Sequence, residues 1–494
     1  MNHIKELTSA QIDRACGVLL ASAVGDALGA GYEFGSALYD GWPGMIGGGL
    51  GGFKPGEWTD DTAQAMAIAR VAASGADLRT AEALDAIAAG FAAWYADGPA
   101  DVGIQTSAVL RLAGRDATAA QMTEAAQTVH EQEGRSAGNG SLMRTAPVAL
   151  AHLGDPAALV EAAKAVSALT HHDPVAGEGA ALWCLMIRYA VLHGALPTVD
   201  DVLPLLGNTV EDWAEVLAVA QHSRPKTFTQ NGWVVGALQA AWSAITHTAV
   251  PDTMPCHHLQ ESLATAIGIG HDTDTVAAIA GALLGARWGA SAVPQEWQRP
   301  LHGWGAPAAG AAVLSALGTL TIRGGRPDGH GWPTGERVDY AAWGVRGTCV
   351  PHPTVAGVWI GDVGALDALP EEIDAVVSMC RIGTAQVPTG AISHAVRLID
   401  SRPEDNPNLD FVVDDAAKTV LRLRGEGRRV FLHCVAGQSR TPTVAARVGV
   451  LDGTSLVRAL QGVVDVLPGA RPQDWLVDAL RRLDDADDSG LRRR

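Results

Sequence analysis

The chain has 494 residues, enough for about three average domains or for two of which one is large, and two is the working count. Hydrophobic residues make up 47% and charged residues 18%, with a mean hydropathy of +0.10, which excludes a disordered chain and predicts packed cores. With 36 Lys plus Arg against 54 Asp plus Glu, the formal charge of -18 argues against a nucleic-acid coat or a polybasic membrane anchor. A small molecule, a metal or another protein is the expected partner.

The longest unbroken apolar run, Val276 to Ala286, has 11 residues, short of the roughly 20 a membrane helix needs, so no span is predicted. Gly17 to Val24 has the look of a signal core, but Glu6 and Asp13 spoil the basic leader, and a cytoplasmic protein is expected. Cysteines 16, 184, 256, 349, 380 and 434 are scattered singly, without disulfide or zinc spacing, and read as reduced thiols.

In chain order, Ala/Leu/Val-rich periodic segments at 62–73, 79–95, 158–170, 176–192, 259–267 and 275–288 predict an all-α first half. Arg323 to Pro333 is dense in Gly and Pro and reads as a connection between domains. Beyond it, short β-type runs at Val358–Ile360, Ala375–Met379, Val396–Ile399 and Val430–Leu432 alternate with helical stretches, which predicts a smaller α/β domain. The expected boundaries are 12–317, a linker over 318–339, and 340–485. Charge divides at the same place: residues 318–494 hold 21 basic and 23 acidic side chains, leaving 15 and 31 before them. An acidic first half suits a carboxylate metal site, and an Arg-rich second half suits phosphate recognition.

Two clusters stand out in the first half. Trp58-Thr59-Asp60-Asp61-Thr62 and His271-Asp272-Thr273-Asp274-Thr275 each directly precede a helical segment. One reading is that both are helix N-caps, since Asp and Thr accept hydrogen bonds from first-turn N–H groups. A cap needs one such residue, however, and adjacent carboxylates repel unless a proton or cation sits between them. Four carboxylates with Thr hydroxyls suit Mg²⁺ or Mn²⁺ better than zinc. Gly25-Asp26-Ala27-Leu28-Gly29-Ala30-Gly31-Tyr32-Glu33 carries a carboxylate near each end, and Gly138-Asn139-Gly140-Ser141-Leu142-Met143-Arg144 is a small-residue loop able to lay N–H groups against a phosphate or ribose. Taken singly these are ordinary turns or helix ends, and His171, beside His172 and Asp173, reads equally as a helix C-cap or a core hydrogen-bonding group.

Together and in this order, GDALGAGYEF, PGEWTDDT, GNGSLMR, LTHHDP and HDTDTVAAIAGALLGA resemble the motifs of the ADP-ribosylglycohydrolase family, over about residues 12–317. The resemblance implies an all-α fold with two divalent cations, Mg²⁺ or Mn²⁺. It implies Thr59, Asp60 and Asp61 as a first ligand set, Asp272, Asp274 and Thr275 as a second, and Glu33 as a glutamate near the metals. It also implies that Asn139, Gly140, Ser141, Met143 and His171 line an ADP-ribose pocket, with an ADP-ribosylated protein or small molecule as partner.

In the second half, the apolar run Val430-Phe431-Leu432 leads through His433-Cys434-Val435-Ala436-Gly437-Gln438-Ser439-Arg440-Thr441 into a helical stretch. A loop entering a helix N-terminus aims N–H groups at one point, where they can hold a phosphate and acidify a thiol. Arg440 can then grip phosphate oxygens with its planar fork. This half resembles the dual-specificity cysteine phosphatases over about 340–485. The resemblance implies Cys434 as nucleophile, Arg440 as phosphoryl clamp, Thr441 as a helper in breakdown of the phosphocysteine, and a phosphorylated substrate. For the general acid, Asp400 at the end of the predicted strand Val396–Ile399 and Asp405 both stand open. The expected function is a bifunctional hydrolase; the alternative is that one half is idle and serves as an ADP-ribose or phosphate recognition module.

Overall fold

Thr8 starts the first helix, Ser9–Gly29, with a capping box: its hydroxyl takes the N–H of Gln11, and the Gln11 side chain takes the N–H of Thr8. The protein is described here from a computed structural model covering residues 7–306 and 310–491. From Asp13 onward the first helix is buried almost throughout, because it is the centre of an all-α unit and is wrapped on every side. Its main partner is the helix Thr273–Trp288, also buried nearly all round. Gly285 faces Gly17, Gly281 faces Ala21, and Ala277 faces Gly25, so the two helices run antiparallel along a seam of small residues. A Cβ on Gly285 would stand 2.0 Å from the Gly17 carbonyl oxygen, so only glycine permits this approach.

That antiparallel seam sets the C-terminal end of one central helix beside the N-terminal end of the other. Thr273 Oγ1 donates to the Gly29 carbonyl at 2.8 Å, and the Phe34 N–H donates to the His271 carbonyl at 2.7 Å. Further helices, among them Asp60–Ala72, Ala81–Ala96, Pro156–Ala168, Pro174–His193 and His257–Ile267, fall within a few residues of the periodic segments of the sequence. Ser9–Gly35 and Pro174–His193 are long and apolar enough to cross a bilayer by length and composition, and their apolar windows lie largely buried within the unit.

The chain divides into two compact units: one runs to Val293 and resumes over Trp297–Arg326, the other comprises Pro294–Glu296 and everything from Pro327. The division falls within the stretch 318–339 that the sequence marks as a linker. The helix Gly310–Ile322 carries the first unit past residue 317, and the Gly325 N–H bonds back to the Leu320 carbonyl. Residues 327–339 belong to the second unit: Asp328 pairs with Arg381 at 2.5 Å, and the Val338 N–H donates to Gln386 Oε1 at 3.1 Å. Gly and Pro here make turns within each unit.

The second unit is α/β. Its five strands are β1 (Cys349–Pro351), β2 (Val358–Asp362), β3 (Ala375–Ser378), β4 (Ile392–Ala395) and β5 (Val430–Cys434), in the order β1-β2-β5-β3-β4. Only β1 is antiparallel. Central β5 is buried along its whole length, as expected of a parallel strand covered on both faces. Helices Leu409–Gly425 and Arg440–Leu451 pack against it, and Phe431 joins Val363, Leu366, Ile373 and Val376 in an apolar cluster.

The strand expected at Val396–Ile399 is not formed; the strand is Ile392–Ala395, just before it. The ladder ends where the Val396 N–H donates to the Ser378 carbonyl. Beyond it the Asn406 side chain takes over the backbone of Ile399, accepting from its N–H at 2.8 Å and donating to its carbonyl at 2.9 Å. Both groups are thus satisfied without a neighbouring strand.

Candidate functional site

Three chain segments meet at the ends of the central helices in the first unit. Asp26, on the last turns of the first helix, is fully buried and accepts from the Thr59 N–H at 2.9 Å, the Thr62 N–H at 3.0 Å and Thr62 Oγ1 at 2.6 Å. These bonds pin the N-terminus of the helix Asp60–Ala72 against the first helix. Thr59 is that helix's N-cap, as the plain capping reading expects. The carboxylates beside it do more. Asp61 Oδ2 accepts from Thr59 Oγ1 at 3.1 Å and, across to the other cluster, from Thr275 Oγ1 at 3.3 Å. Asp272 Oδ2 accepts from Asn139 Nδ2 at 2.6 Å, and Thr275 Oγ1 also lies 3.9 Å from Met143 Sδ.

Carboxylate oxygens of Asp26, Asp61 and Asp274 lie within 4.8 Å of one another, as do those of Glu33, Asp272 and Asp274. Asp274 belongs to both groups, so the two clusters of the sequence form one continuous acidic centre. Burial, reinforced by Asp272, Asp101 and Asp60, pushes the Glu33 carboxyl up to about 8. Burial, with Asp101, Asp26 and Asp272 adding, also lifts Asp60 to about 8. Asp61 and Asp274 are driven well above the carboxylate range by burial first and by their acidic neighbours second.

Glu33 Oε2, Asp61 Oδ1 and Asp274 Oδ1 are buried and have no hydrogen-bond donor. A buried carboxylate oxygen without a donor is costly, and a hard cation is the partner that several such oxygens can share. The residues present therefore fit divalent cations: Asp61, Asp272, Asp274 and Glu33 stand at this centre, Thr59 and Thr275 donate to Asp61, and Asp60 is tied to it by the charges of Asp26 and Asp272. The loop Gly138–Arg144 reaches the same place through Asn139 and Met143. Ser141 Oγ is buried without a partner, and a Cβ on Gly140 would meet His171 Cε1 at 3.0 Å and Nε2 at 3.1 Å. Asn139 and Met143 thus lie against the acidic centre, and Gly140 lies against His171.

Two further residues belong here that the motif reading passed over. Asp26 was visible as the first carboxylate of the Gly-rich segment, yet its role comes only from the folded contact with Thr59 and Thr62. Asp101 sits in a loop with no motif around it, and its charge acts on both Glu33 and Asp60.

The profile of the ADP-ribosylglycohydrolase family matches residues 7–323. The chain belongs to this family of hydrolases. It is 31% identical over 290 residues to the ADP-ribosyl-[dinitrogen reductase] glycohydrolase of Rhodospirillum rubrum, covering 58% of this chain and 89% of that protein. It is 29% identical over 290 residues to the ADP-ribosylarginine hydrolase Tri1 of Pseudomonas putida (strain GB-1), covering 58% of this chain and 73% of that one. Among solved structures, human DUSP28 aligns over 28% of this chain and 96% of its own, at 19% identity and a TM-score of 0.25.

In the second unit, Cys434 ends β5 and Arg440 opens the following helix, with the loop 435–439 between them. The crevice beyond the carboxyl ends of parallel strands is where open α/β sheets place their ligands. His433 is buried and donates to or accepts from Ser378 Oγ at 2.8 Å, and burial lowers its imidazole to about 4, so it is neutral. Arg440 Nη1 donates to the carbonyls of Met379 at 2.5 Å and Leu398 at 2.9 Å, which fixes the plane of its guanidinium. Asp400 Oδ2 pairs with Arg440 Nε at 3.4 Å, and its other oxygen accepts from Gln473 Nε2 at 2.8 Å. Asp405 instead closes a local turn, accepting from Ser401 Oγ at 2.5 Å and pairing with Arg402 at 3.3 Å. Asp400 therefore stands beside the cysteine loop's arginine although no strand delivers it there. Thr441 Oγ1 donates to the Gly361 carbonyl at 3.1 Å.

Proposed function

We propose that the first unit hydrolyses an ADP-ribosyl glycosidic bond with two divalent cations, Mg²⁺ or Mn²⁺, and that the second removes phosphate from a monoester through Cys434. The observation that carries the first reading is the acidic centre in which Asp274 joins two carboxylate groups and three buried oxygens lack a donor, in a family of ADP-ribosyl hydrolases. The two bacterial relatives are named for an ADP-ribosylated protein and for ADP-ribosylarginine, which makes an arginine-linked ADP-ribosyl protein the expected substrate.

Cleavage at the anomeric carbon passes through an oxocarbenium-like state, so the site must hold the ribose and deliver water to one face. When bound, the cations supply Lewis acidity to that site. The chain's own groups do the rest. Asn139 fixes the Asp272 carboxylate, Thr59 and Thr275 fix that of Asp61, and a carboxylate of the centre takes the proton from the attacking water. His171 and the loop around Gly140 form a wall against which a ribose or phosphate can lie. In the second unit, Cys434 Sγ attacks phosphorus as the bond to the leaving oxygen breaks, Arg440 holds the equatorial oxygens, Asp400 protonates the leaving oxygen, and water then cleaves the phosphocysteine to release phosphate.

The test is incubation of the full chain with peptides ADP-ribosylated on arginine or on serine, with Mg²⁺, Mn²⁺ or excess chelator, and mass spectrometry of the products. Release of ADP-ribose from the arginine peptide only with a cation is expected. Full release in chelator would sink the metal reading, and no release from any peptide would sink the hydrolase reading.

A further inference from the structure

The first unit contains a buried arginine that makes no direct contact with the acidic centre yet is joined to it. Arg144 ends the Gly138–Arg144 loop and has no exposed surface. Its guanidinium carbon lies 4.4 Å from the Phe91 ring centroid, and its two terminal nitrogens donate in different directions. Nη1 donates to Gln64 Oε1 at 2.5 Å, and Gln64 Nε2 donates on to Asp60 Oδ2 at 3.1 Å. Nη2 donates to Thr170 Oγ1 at 2.6 Å, and Thr170 Oγ1 lies 2.7 Å from His171 Nδ1. One unbroken chain therefore runs from Asp60 through Gln64, Arg144 and Thr170 to His171.

The donors and acceptors in this chain can be assigned by counting hydrogens. A guanidinium only donates, so Gln64 must turn its oxygen to Arg144 and its NH₂ to Asp60. Thr170 Oγ1 receives a hydrogen from Arg144 and has one of its own to place. Thr170 is fully buried, and among the described residues the only acceptor within reach of that hydrogen is His171 Nδ1. Leaving a buried hydroxyl hydrogen unpaired is costly, which decides between the two tautomers. His171 Nδ1 is then the acceptor and Nε2 carries the proton. The Nε2 edge is the one that faces Gly138 and Gly140, so the ring offers an N–H to whatever lies against that loop. Burial and the Arg144 charge hold the imidazole well below its usual pKa, so it stays neutral.

We propose that Arg144, acting through Thr170, is a positioning residue that locks His171 in the Nε2–H tautomer, making it a fixed hydrogen-bond donor to an oxygen of the bound ligand. The same guanidinium, acting through Gln64, orients Asp60, so one buried cation aligns both walls of the site. The tautomer follows from this chain's own hydrogen bonds; only the identity of the ligand rests on the ADP-ribose reading.

The test uses the full chain with ¹⁵N-labelled histidine and compares Thr170→Val and Thr170→Ser with the parent. Long-range ¹⁵N correlation spectra report which ring nitrogen is protonated, the His171 signals being assigned by their loss in His171→Asn. The parent and Thr170→Ser should show a neutral Nε2–H ring, and Thr170→Val should shift toward the Nδ1–H form. ADP-ribose affinity by calorimetry in excess Mg²⁺ should fall about tenfold in Thr170→Val and recover in Thr170→Ser, the loss of one hydrogen bond of about 1.4 kcal/mol. A Nδ1–H ring in the parent, or a Thr170→Val ring unchanged from the parent, overturns the proposal. A tautomer shift without any change in ADP-ribose affinity upholds the lock and instead removes ADP-ribose as the ligand at His171.

Discussion

Glu33 Oε2, Asp61 Oδ1 and Asp274 Oδ1 are each buried without a donor, and a proton or a shared cation would satisfy them. Without cation, Glu33 and Asp60 hold their protons up to about pH 8 in the folded chain, against 4.5 and 3.8 when unperturbed. Between those limits the folded state binds more protons than the unfolded one, so its stability must fall as pH rises. The buried histidines, whose pKa values are lowered, bind protons only in the unfolded state, and this opposing contribution fades as pH rises above their ordinary 6.5, so it is small across most of the interval from pH 7 to pH 8. Melting temperature in excess chelator should accordingly drop by several degrees from pH 7 to pH 8, and excess Mg²⁺ should abolish the drop. A flat profile in chelator would show that these carboxyls ionise freely. At the other site, Asp400→Asn should lower turnover of an aryl phosphate with a poor leaving group about a hundredfold, and Asp405→Asn less than about twofold. Equal effects would return the acid to an open choice. Most of these residues were legible in the sequence because each carries its chemistry in its own type and in its neighbours: Asp beside Asp, or Cys and Arg with five residues between them. Asp101 was not, because a single Asp in an unremarkable loop acquires meaning only through what the fold sets near it.

The pairing of Ser9–Gly29 with Thr273–Trp288 is what turns two distant motifs into one centre. Its seam relies on Gly17, Gly281 and Gly285, which let the backbones approach more closely than side chains would allow. Gly285→Val should force the helices apart, destabilising the unit by about 1–3 kcal/mol or more, with cation affinity falling in parallel because Asp26 and Asp274 lie on the two helices being separated. Denaturant unfolding with and without Mn²⁺ would check this; loss of stability with Mn²⁺ affinity unchanged would mean that the seam does not position the ligands. The helices themselves were readable from periodicity, because long Ala/Leu/Val segments favour helix whatever they pack against. The edges of the sheet were not. Ile392-Ser393-His394-Ala395 carries too little apolar character to stand out, and it becomes β4 by pairing with β3. Val396–Ile399 has the right composition but loses its ladder to Asn406 and Arg440. Strand propensity describes fit to a neighbour, and the neighbour is not written in the segment.

At the scale of the whole molecule, the proposed function gives each unit its own set of parts for a different hydrolysis. The first has carboxylates, a small-residue loop and a buried Arg–Thr–His relay; the second has a thiol, an arginine and a carboxylate around the end of β5. Neither set borrows a residue from the other, so the two activities should be separable by single substitutions in the intact chain. Cys434→Ser should reduce hydrolysis of an aryl phosphate by at least about a thousandfold and leave ADP-ribose release within about twofold, because the serine hydroxyl is a far weaker nucleophile than a thiolate. Asp274→Asn should do the reverse, removing the carboxylate shared by both acidic groups and so weakening cation binding and ADP-ribose release together. Chelation should copy Asp274→Asn, since Cys434 and Arg440 need no metal. Mild peroxide should copy Cys434→Ser and be reversed by thiol, since a sulfenic acid returns to the thiol on reduction. If Cys434→Ser hydrolysed aryl phosphate as fast as the parent, the second unit would have to be a phosphate-recognition module carrying a thiol it does not use in catalysis.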